Sequence, residues 1–199
     1  SVNLPLRPFT LVGATTRSGL LSSPMRDRFG LHCRLELYTE KEIKEILKRS
    51  ARILKVEMTE DAAGILSSRC RGTPRIANRV LRRCRDVAQV RGNGIIDKTS
   101  AEKTLEMLGI DADGLDPMDR KILSIMIDKF NGRPVGINTL GAALNEEQNT
   151  LEEVYEPYLI QKGFLSRTPR GRMVTPAAYR KLERPFPKNQ QYEQTEMEF

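Results

Sequence analysis

Residues 164–175 read FLSRTPRGRMVT. Two short runs, 164–168 and 172–175, flank Pro169-Arg170-Gly171, and turn residues between such runs predict a β-hairpin with arginines at its tip. Working back from it, Thr150 and Glu153 have capping-box spacing for a helix bearing Leu151, Val154, Tyr155, Tyr158 and Leu159, which Pro157 should kink. Before that lies a short helix over 139–145. Earlier still, Asp116-Pro117 starts a helix through Ile122, Ile125, Met126 and Phe130, which ends at the turn Asn131-Gly132-Arg133-Pro134. Helix, helix, helix, hairpin is the order of a winged helix.

Upstream, residues 111–116 are acidic, contain Gly114 and read as a linker. Before it the spacing predicts a four-helix unit. Thr39 and Glu42 cap the first helix, with Ile43, Ile46, Leu47, Ala51 and Leu54 on one stripe; Thr59 opens the second, with Ala62, Ile65, Leu66 and Cys70 inward. Thr73-Pro74 supplies a cap and a first-turn proline for a long third helix bearing Ala77, Val80, Leu81, Cys84 and Ala88, and Thr99 with Glu102 should cap a fourth. At the amino end, residues 9–14 (FTLVGA) read as a buried strand stopping at Thr15-Thr16-Arg17, and 31–37 as a second strand with His32 half exposed. No further strands precede residue 9 and the chain begins with Ser1, so the first part is expected to be the truncated end of a larger α/β domain. Residues 189–199 are polar and read as a disordered tail.

Composition narrows the function. With 39% hydrophobic residues, 199 positions suffice for one large or two small cores. The apolar run 122–127 is far short of a membrane span, and no signal pattern opens the chain, so a cytoplasmic protein is expected. Cys33, Cys70 and Cys84 form no C-x-x-C pair and read as small core residues, and with His32 the single histidine, two-histidine zinc sites are excluded. The net charge of +7 is concentrated: eight arginines between Arg69 and Arg91 against Asp86 alone, and eight basic residues from Lys162 to Lys188 against Glu183 alone. Two such blocks favour a polyanionic partner, nucleic acid or nucleotide phosphate, over a merely solvated face.

No glycine is followed by lysine, so the 199 residues carry no P-loop of their own. What remains would complete such a site. Thr15-Thr16 at a strand end could orient water or touch a γ-phosphate, although strand termination explains the pair equally well. Ser23-Pro24-Met25-Arg26-Asp27-Arg28-Phe29-Gly30 offers two arginines in a short turn, with the exposed loop arginine as the plain alternative. Arg75 falls in the first turn of a helix, where free N–H groups and the helix dipole favour an anion; a solvated arginine would read the same.

FTLVGATTR (9–17), SPMRDRFG (23–30), RGTPRIANRVLRR (71–83), MDRKIL (118–123) and EPYLIQKGFLSRTPRGR (156–172), in this order, closely resemble the RuvB family of bacterial Holliday-junction branch-migration ATPases, of the AAA+ class. The resemblance implies a mainly α chain with few strands: the end of an AAA+ core over 1–38, a helical lid over 39–113, a winged helix over 114–184 and a tail over 185–199. It implies that Thr16 is the sensor-1 threonine, Arg28 the arginine finger, Arg75 with Pro74 and Ile76 the sensor-2 group at ATP, and Arg167, Arg170 and Arg172 the DNA-contacting wing. By the same resemblance the cofactors are ATP and Mg2+, mainly through an amino-terminal part outside these residues. The partners are duplex DNA of Holliday junctions, RuvA, RuvC and further copies in a hexameric ring, with no membrane. A winged-helix transcription regulator would explain only the carboxyl half. An AAA+ clamp loader or initiator would share the sensors but lack the TPRGR wing.

Overall fold

The computed structural model describes residues 7–16 and 18–187; Arg17 and the tail from 188 onward lie outside them. The chain divides into two compact units, Ser1–Glu36 and Leu37–Phe199.

The first unit corrects the sequence expectation of two strands. Residues 9–14 and 31–37 form no strand, because neither segment pairs with the other or with any described neighbour, and an extended chain without a ladder leaves its backbone groups to water. Their apolar side chains are bare: Val12 is 85% and Leu35 91% exposed. Cys33 is likewise exposed rather than a core residue. The regular elements among its described residues are a 3-10 turn at Ser18–Leu20 and the short helix α1 (Ser23–Asp27).

The second unit is helical. Helix α2 (Glu40–Ile53) starts at a reciprocal cap in which Thr39 accepts from Glu42 N and Glu42 accepts from Thr39 N. Helix α3 (Glu60–Arg69) is capped by Thr59. Helix α4 (Pro74–Arg91) has its proline in the first turn, where the missing N–H costs nothing. Helix α5 (Lys98–Met107) begins two residues earlier than the spacing of Thr99 and Glu102 predicts. The cause is tertiary: Ile96 exchanges backbone bonds with Glu57 and Thr59, so the chain is already held at Asp97, which pairs reciprocally with Ser100. These four helices bury Ile43, Leu47, Leu66, Leu81 and Leu105 around the inert thiols of Cys70 and Cys84, pushed up by burial to about 12 and about 11.

A second core follows, built on Leu123, Met126, Leu144, Leu159 and Val174. Helices α6 (Pro117–Asp128) and α7 (Ile137–Leu144) are followed by a single turn, α8 (Gln148–Thr150). Thr150 is therefore inside the helical stretch and makes no side-chain cap; the left-handed Asn145 ends α7, and Leu151 N already bonds to Glu147 O. Pro157 has no N–H and crowds the carbonyl four residues back. The chain accommodates it with a π-turn at Leu151–Tyr155 before resuming as α9 (Glu156–Gln161). The hairpin β1 (Leu165–Thr168) and β2 (Gly171–Val174) pairs antiparallel as predicted, and Val135 adds a further bridge to Arg172. Gly171 has φ +132°, and a Cβ there would collide with the Val135 carbonyl. Helix α10 (Pro176–Lys181) closes the core.

Residues 111–116, read as a linker, form instead a held hub. Asp111 Oδ1 accepts from Asp113 N and Leu115 N at 2.9 Å each, Leu115 is fully buried, and Tyr158 Oη donates to Asp113 O at 2.6 Å. Its acidity is matched by basic residues distant in sequence: Lys181 pairs with Asp111 and Asp113, and Arg120 donates to Leu115 O. Among the described residues no helix is long and apolar enough to cross a membrane.

Candidate functional site

In the first unit, α1 carries two arginines with different surroundings. Arg26 is occupied: its guanidinium donates to Ser23 Oγ at 3.3 Å, and His32 Nε2 donates to its carbonyl at 3.2 Å. Arg28, the residue that ends α1, is exposed and bonds to no described residue through its side chain. Phe29 beside it packs near Gly13, with the ring 3.5 Å from where a Cβ would stand, so the turn is set close to the Thr15-Thr16 segment. Thr16 itself is exposed in a bend. Among the described residues the geometry thus separates a tethered arginine from an unpaired one, which residue spacing does not.

In the second unit the turn between α3 and α4 is tightly constrained. Arg71 and Gly72 both have positive φ, +55° and +60°; a Cβ on Gly72 would stand 2.6 Å from Tyr38 O, and Tyr38 N donates to Gly72 O at 2.9 Å. Thr73 spends its hydroxyl on Arg71 O rather than on capping α4. The first N–H groups of the helix, on Arg75 and Ile76, therefore have no cap, and with the helix dipole they favour an anion. Pro74 fixes the first turn, Ile76 is half buried against the four-helix core, and Arg75 is exposed with a guanidinium unpaired among the described residues. Further along α4, Arg79 and Arg82 continue the exposed face, whereas Arg83 and Arg85 pair with Asp86.

The hairpin arginines divide in the same manner. Arg170 projects from the two-residue loop, exposed and without a side-chain partner among the described residues. Arg172 is turned inward and is only 16% exposed: its guanidinium donates to Glu152 Oε1 at 2.6 Å and to both carboxylate oxygens of Glu156. Arg167 donates to the same Glu156 Oε1 at 2.7 Å while remaining largely exposed. Burial opposes the charge on Glu156, but the bonds from Arg167 and Arg172 outweigh it and hold the carboxyl below its usual range. This differs from the expectation of three alike wing arginines, because α9 brings an acid beneath the hairpin. The basic block 162–188 shrinks accordingly: Lys181 and Arg184 also have acidic partners, leaving Lys162, Arg170 and Arg180 without an ion pair among the described residues.

Three residues that sequence patterns did not single out join these places. Arg71, 10% exposed, reaches from the α3–α4 turn to Asp119, Asp116 and Gly114 O. Asp119 is fully buried, and burial pushes its carboxyl up to about 6 against the pull of Arg71. Glu156 sits at the first position of α9, four positions after Glu152, and that spacing is the one available signal. Among the described residues no group of three His, Cys, Asp or Glu could hold a metal ion.

Three family models match the chain in series: the Holliday junction DNA helicase RuvB P-loop domain over residues 1–35, the RuvB AAA lid domain over 38–111 and the RuvB C-terminal winged helix domain over 112–183. The chain is 57% identical over 187 residues to the Holliday junction branch migration complex subunit RuvB of Koribacter versatilis, covering 94% of this chain and 52% of that protein. It is 55% identical to the subunit of the same name from Fusobacterium nucleatum, covering 92% of this chain and 55% of that one. The solved structure of the Thermotoga maritima RuvB Holliday junction branch migration motor superposes with a TM-score of 0.87 at 54% identity, covering 92% of this chain and 61% of that one. The chain thus spans about half the length of the curated relatives it matches.

Proposed function

Because the chain belongs to the RuvB family, we propose that it supplies the nucleotide-sensing and DNA-engaging parts of an ATP-driven motor that migrates Holliday junctions in recombination and repair. One observation carries this reading: a single unit holds, unpaired among the described residues, one arginine at the mouth of α4 and another at the tip of the hairpin. An anion-seeking helix start and a sequence-indifferent cationic tip are what a motor needs to bind phosphate at one end and duplex backbone at the other.

In this reading Arg75, with the N–H groups of Arg75 and Ile76, contacts the nucleotide phosphates, and Pro74 holds that first turn in register. The residues present fit an anion there. Bound ATP with Mg2+ would supply the γ-phosphoryl group whose hydrolysis drives the motion, its phosphate cradle and metal ligands coming from a chain segment other than these 199 residues. Arg28 reaches the nucleotide of a neighbouring copy in a hexameric ring, and Thr16 orients the attacking water. Arg170 contacts DNA phosphates, Arg167 adds to that contact from its exposed side, and Arg172 holds the hairpin that presents both. The domains divide at 1–38, 39–113 and 114–184, the motor works in the cytoplasm, and RuvA holds the junction that RuvC resolves.

The test is salt-dependent binding of the 199-residue chain to duplexes of unrelated sequence. Arg170→Ala should weaken binding similarly on all of them and lower the log–log salt slope by about 0.9, the value for one lost phosphate contact. Loss confined to one sequence would favour a base-reading regulator instead.

A further inference from the structure

Arg71 stands four residues before Arg75, in the left-handed turn between α3 and α4, yet its side chain belongs to the carboxyl core. The guanidinium meets four groups from three segments of that core. Nε donates to Gly114 O at 3.1 Å, and Nη2 contacts Asp119 and lies 3.2 Å from Asp116 Oδ2. Its carbon sits 4.5 Å from the Tyr158 ring centroid, over the face of the ring. Asp119 and Asp116 are themselves locked as the reciprocal cap of α6, with Asp116 N donating to Asp119 Oδ2 at 2.8 Å and Asp119 N to Asp116 Oδ1 at 3.0 Å. Tyr158 is held by its bond to Asp113 O. A planar fork that donates in two directions while stacking on a ring is something only arginine supplies; a lysine can meet two carboxylates, as Lys181 does, but cannot also donate to Gly114 O and lay a planar group over the Tyr158 ring.

The other side of the same turn is gripped as well. Gly72 is pressed on the Tyr38 backbone, and Gly114 is wedged between Arg69 and Tyr158, where a Cβ would stand 3.2 Å from Arg69 O and 2.6 Å from Tyr158 Oη. The turn that aims Arg75 is therefore bonded directly to the first helix of the carboxyl core and, through Tyr158, to α9, which carries the Glu156 that holds the hairpin arginines.

We infer that Arg71 is a positioning residue that makes the Arg75-bearing turn and the winged-helix core one mechanical body, so that displacement of the turn at a nucleotide reaches the hairpin without slack. The transmission half of this inference rests on the function proposed above; the mechanical half does not. Packing alone would join the two cores less strictly, since they are separate apolar clusters with a polar hub between them.

The test compares the full 199-residue chain with Arg71→Gln and Arg71→Lys, each also carrying Cys33→Ser and spin labels at Lys103→Cys on α5 and Lys121→Cys on α6. The distance distribution between the labels should be narrow with Arg71 and lose its narrow peak in both variants, although each keeps its helical circular dichroism. A distribution as narrow as the parent's in either folded variant overturns the clamp, and Arg71→Lys decides the matter should Arg71→Gln not fold. In protein extended by a P-loop domain, duplex DNA at the hairpin should raise ATP turnover, and Arg71→Gln should lose that increase while keeping the parental KM for ATP. A retained increase alongside a broadened distribution overturns transmission. Absence of any nucleotide turnover in the extended parent would count against the proposed function, with the clamp still decided by the distances.

Discussion

The Arg172 guanidinium lies against a carboxylate that water scarcely reaches: Nε is 3.1 Å and Nη2 3.2 Å from the two oxygens of Glu156, which is 3% exposed. The pair fastens β2 to α9 from below, so the hairpin is held by charge as well as by its ladder.

Breaking this pair should therefore show first in stability. Glu156→Gln leaves Arg172 paired with Glu152 alone and Arg167 open to water, so it should unfold at lower urea concentration near pH 7, by less than the about 3–5 kcal/mol of a buried charge left wholly unpaired. The folded Glu156 carboxyl lies below its usual range, so its contribution is present above the unfolded value and is lost as pH falls through the folded one. The gap between parent and Glu156→Gln should accordingly close as pH drops below about 4.5. A gap that stayed constant with pH would show that shape, not charge, holds the hairpin.

Asp119 should behave in the opposite sense. Burial raises its carboxyl to about 6, although Arg71 and the Asp116 N–H favour the charged form; Asp116 beside it, with Tyr155 and Tyr158 facing from the π-turn and α9, completes its surroundings. With the folded value above the unfolded one, its contribution is complete below the unfolded value and declines as pH rises toward 6. Asp119→Asn should flatten that part of the stability–pH curve. An unchanged slope from urea titrations at successive pH values would contradict the assignment.

Arg28, unpaired among the described residues where Arg26 is tethered, is expected to act on a neighbouring copy. In protein extended by a P-loop domain, Arg28→Ala should lower ATP turnover by roughly 10³–10⁵, the scale of other arginine fingers. Arg26→Ala should cost far less. Mixing Arg28→Ala subunits with subunits whose P-loop is defective should restore turnover, because some interfaces then pair an intact loop with an intact finger. Verified mixed rings without recovered activity would remove Arg28 from this role.

Gly114 tests the hub. Its φ of +75° strains any side chain, and a Cβ would stand 2.6 Å from Tyr158 Oη, within the bond that Tyr158 makes to Asp113. Gly114→Ala should destabilise the chain by more than about 1 kcal/mol in urea unfolding, the scale for alanine forced to positive φ. A neutral result would mean that residues 111–116 are as loose as their composition reads.

Much was legible without coordinates because its causes are local. The caps at Thr39, Thr59 and Asp116, the first-turn proline of α4 and the turn Pro169-Arg170 each depend on a few adjacent residues, and each lies where the spacing put it. The segment order that carries the family resemblance is legible for the same reason. The strands expected at 9–14 and 31–37 failed because a strand is completed by a neighbour, not by its own residues. The start of α5 was misplaced because Ile96 is held by Glu57 and Thr59, far back in the chain.

The sequence by itself thus determined most helix starts, the hairpin and the identity of the arginines, whereas the tertiary structure alone decided which arginines pair with acids. Charge pairing is set by distance in space: Arg71 meets Asp119 across 48 positions, Arg172 meets Glu152 across 20, and Lys181 meets Asp113 across 68. Counting charges along a segment cannot see those partners. Arg75 and Arg170 have no acid folded onto them among the described residues, whereas Arg71 and Arg172, members of the same two basic blocks, become structural because buried carboxylates do.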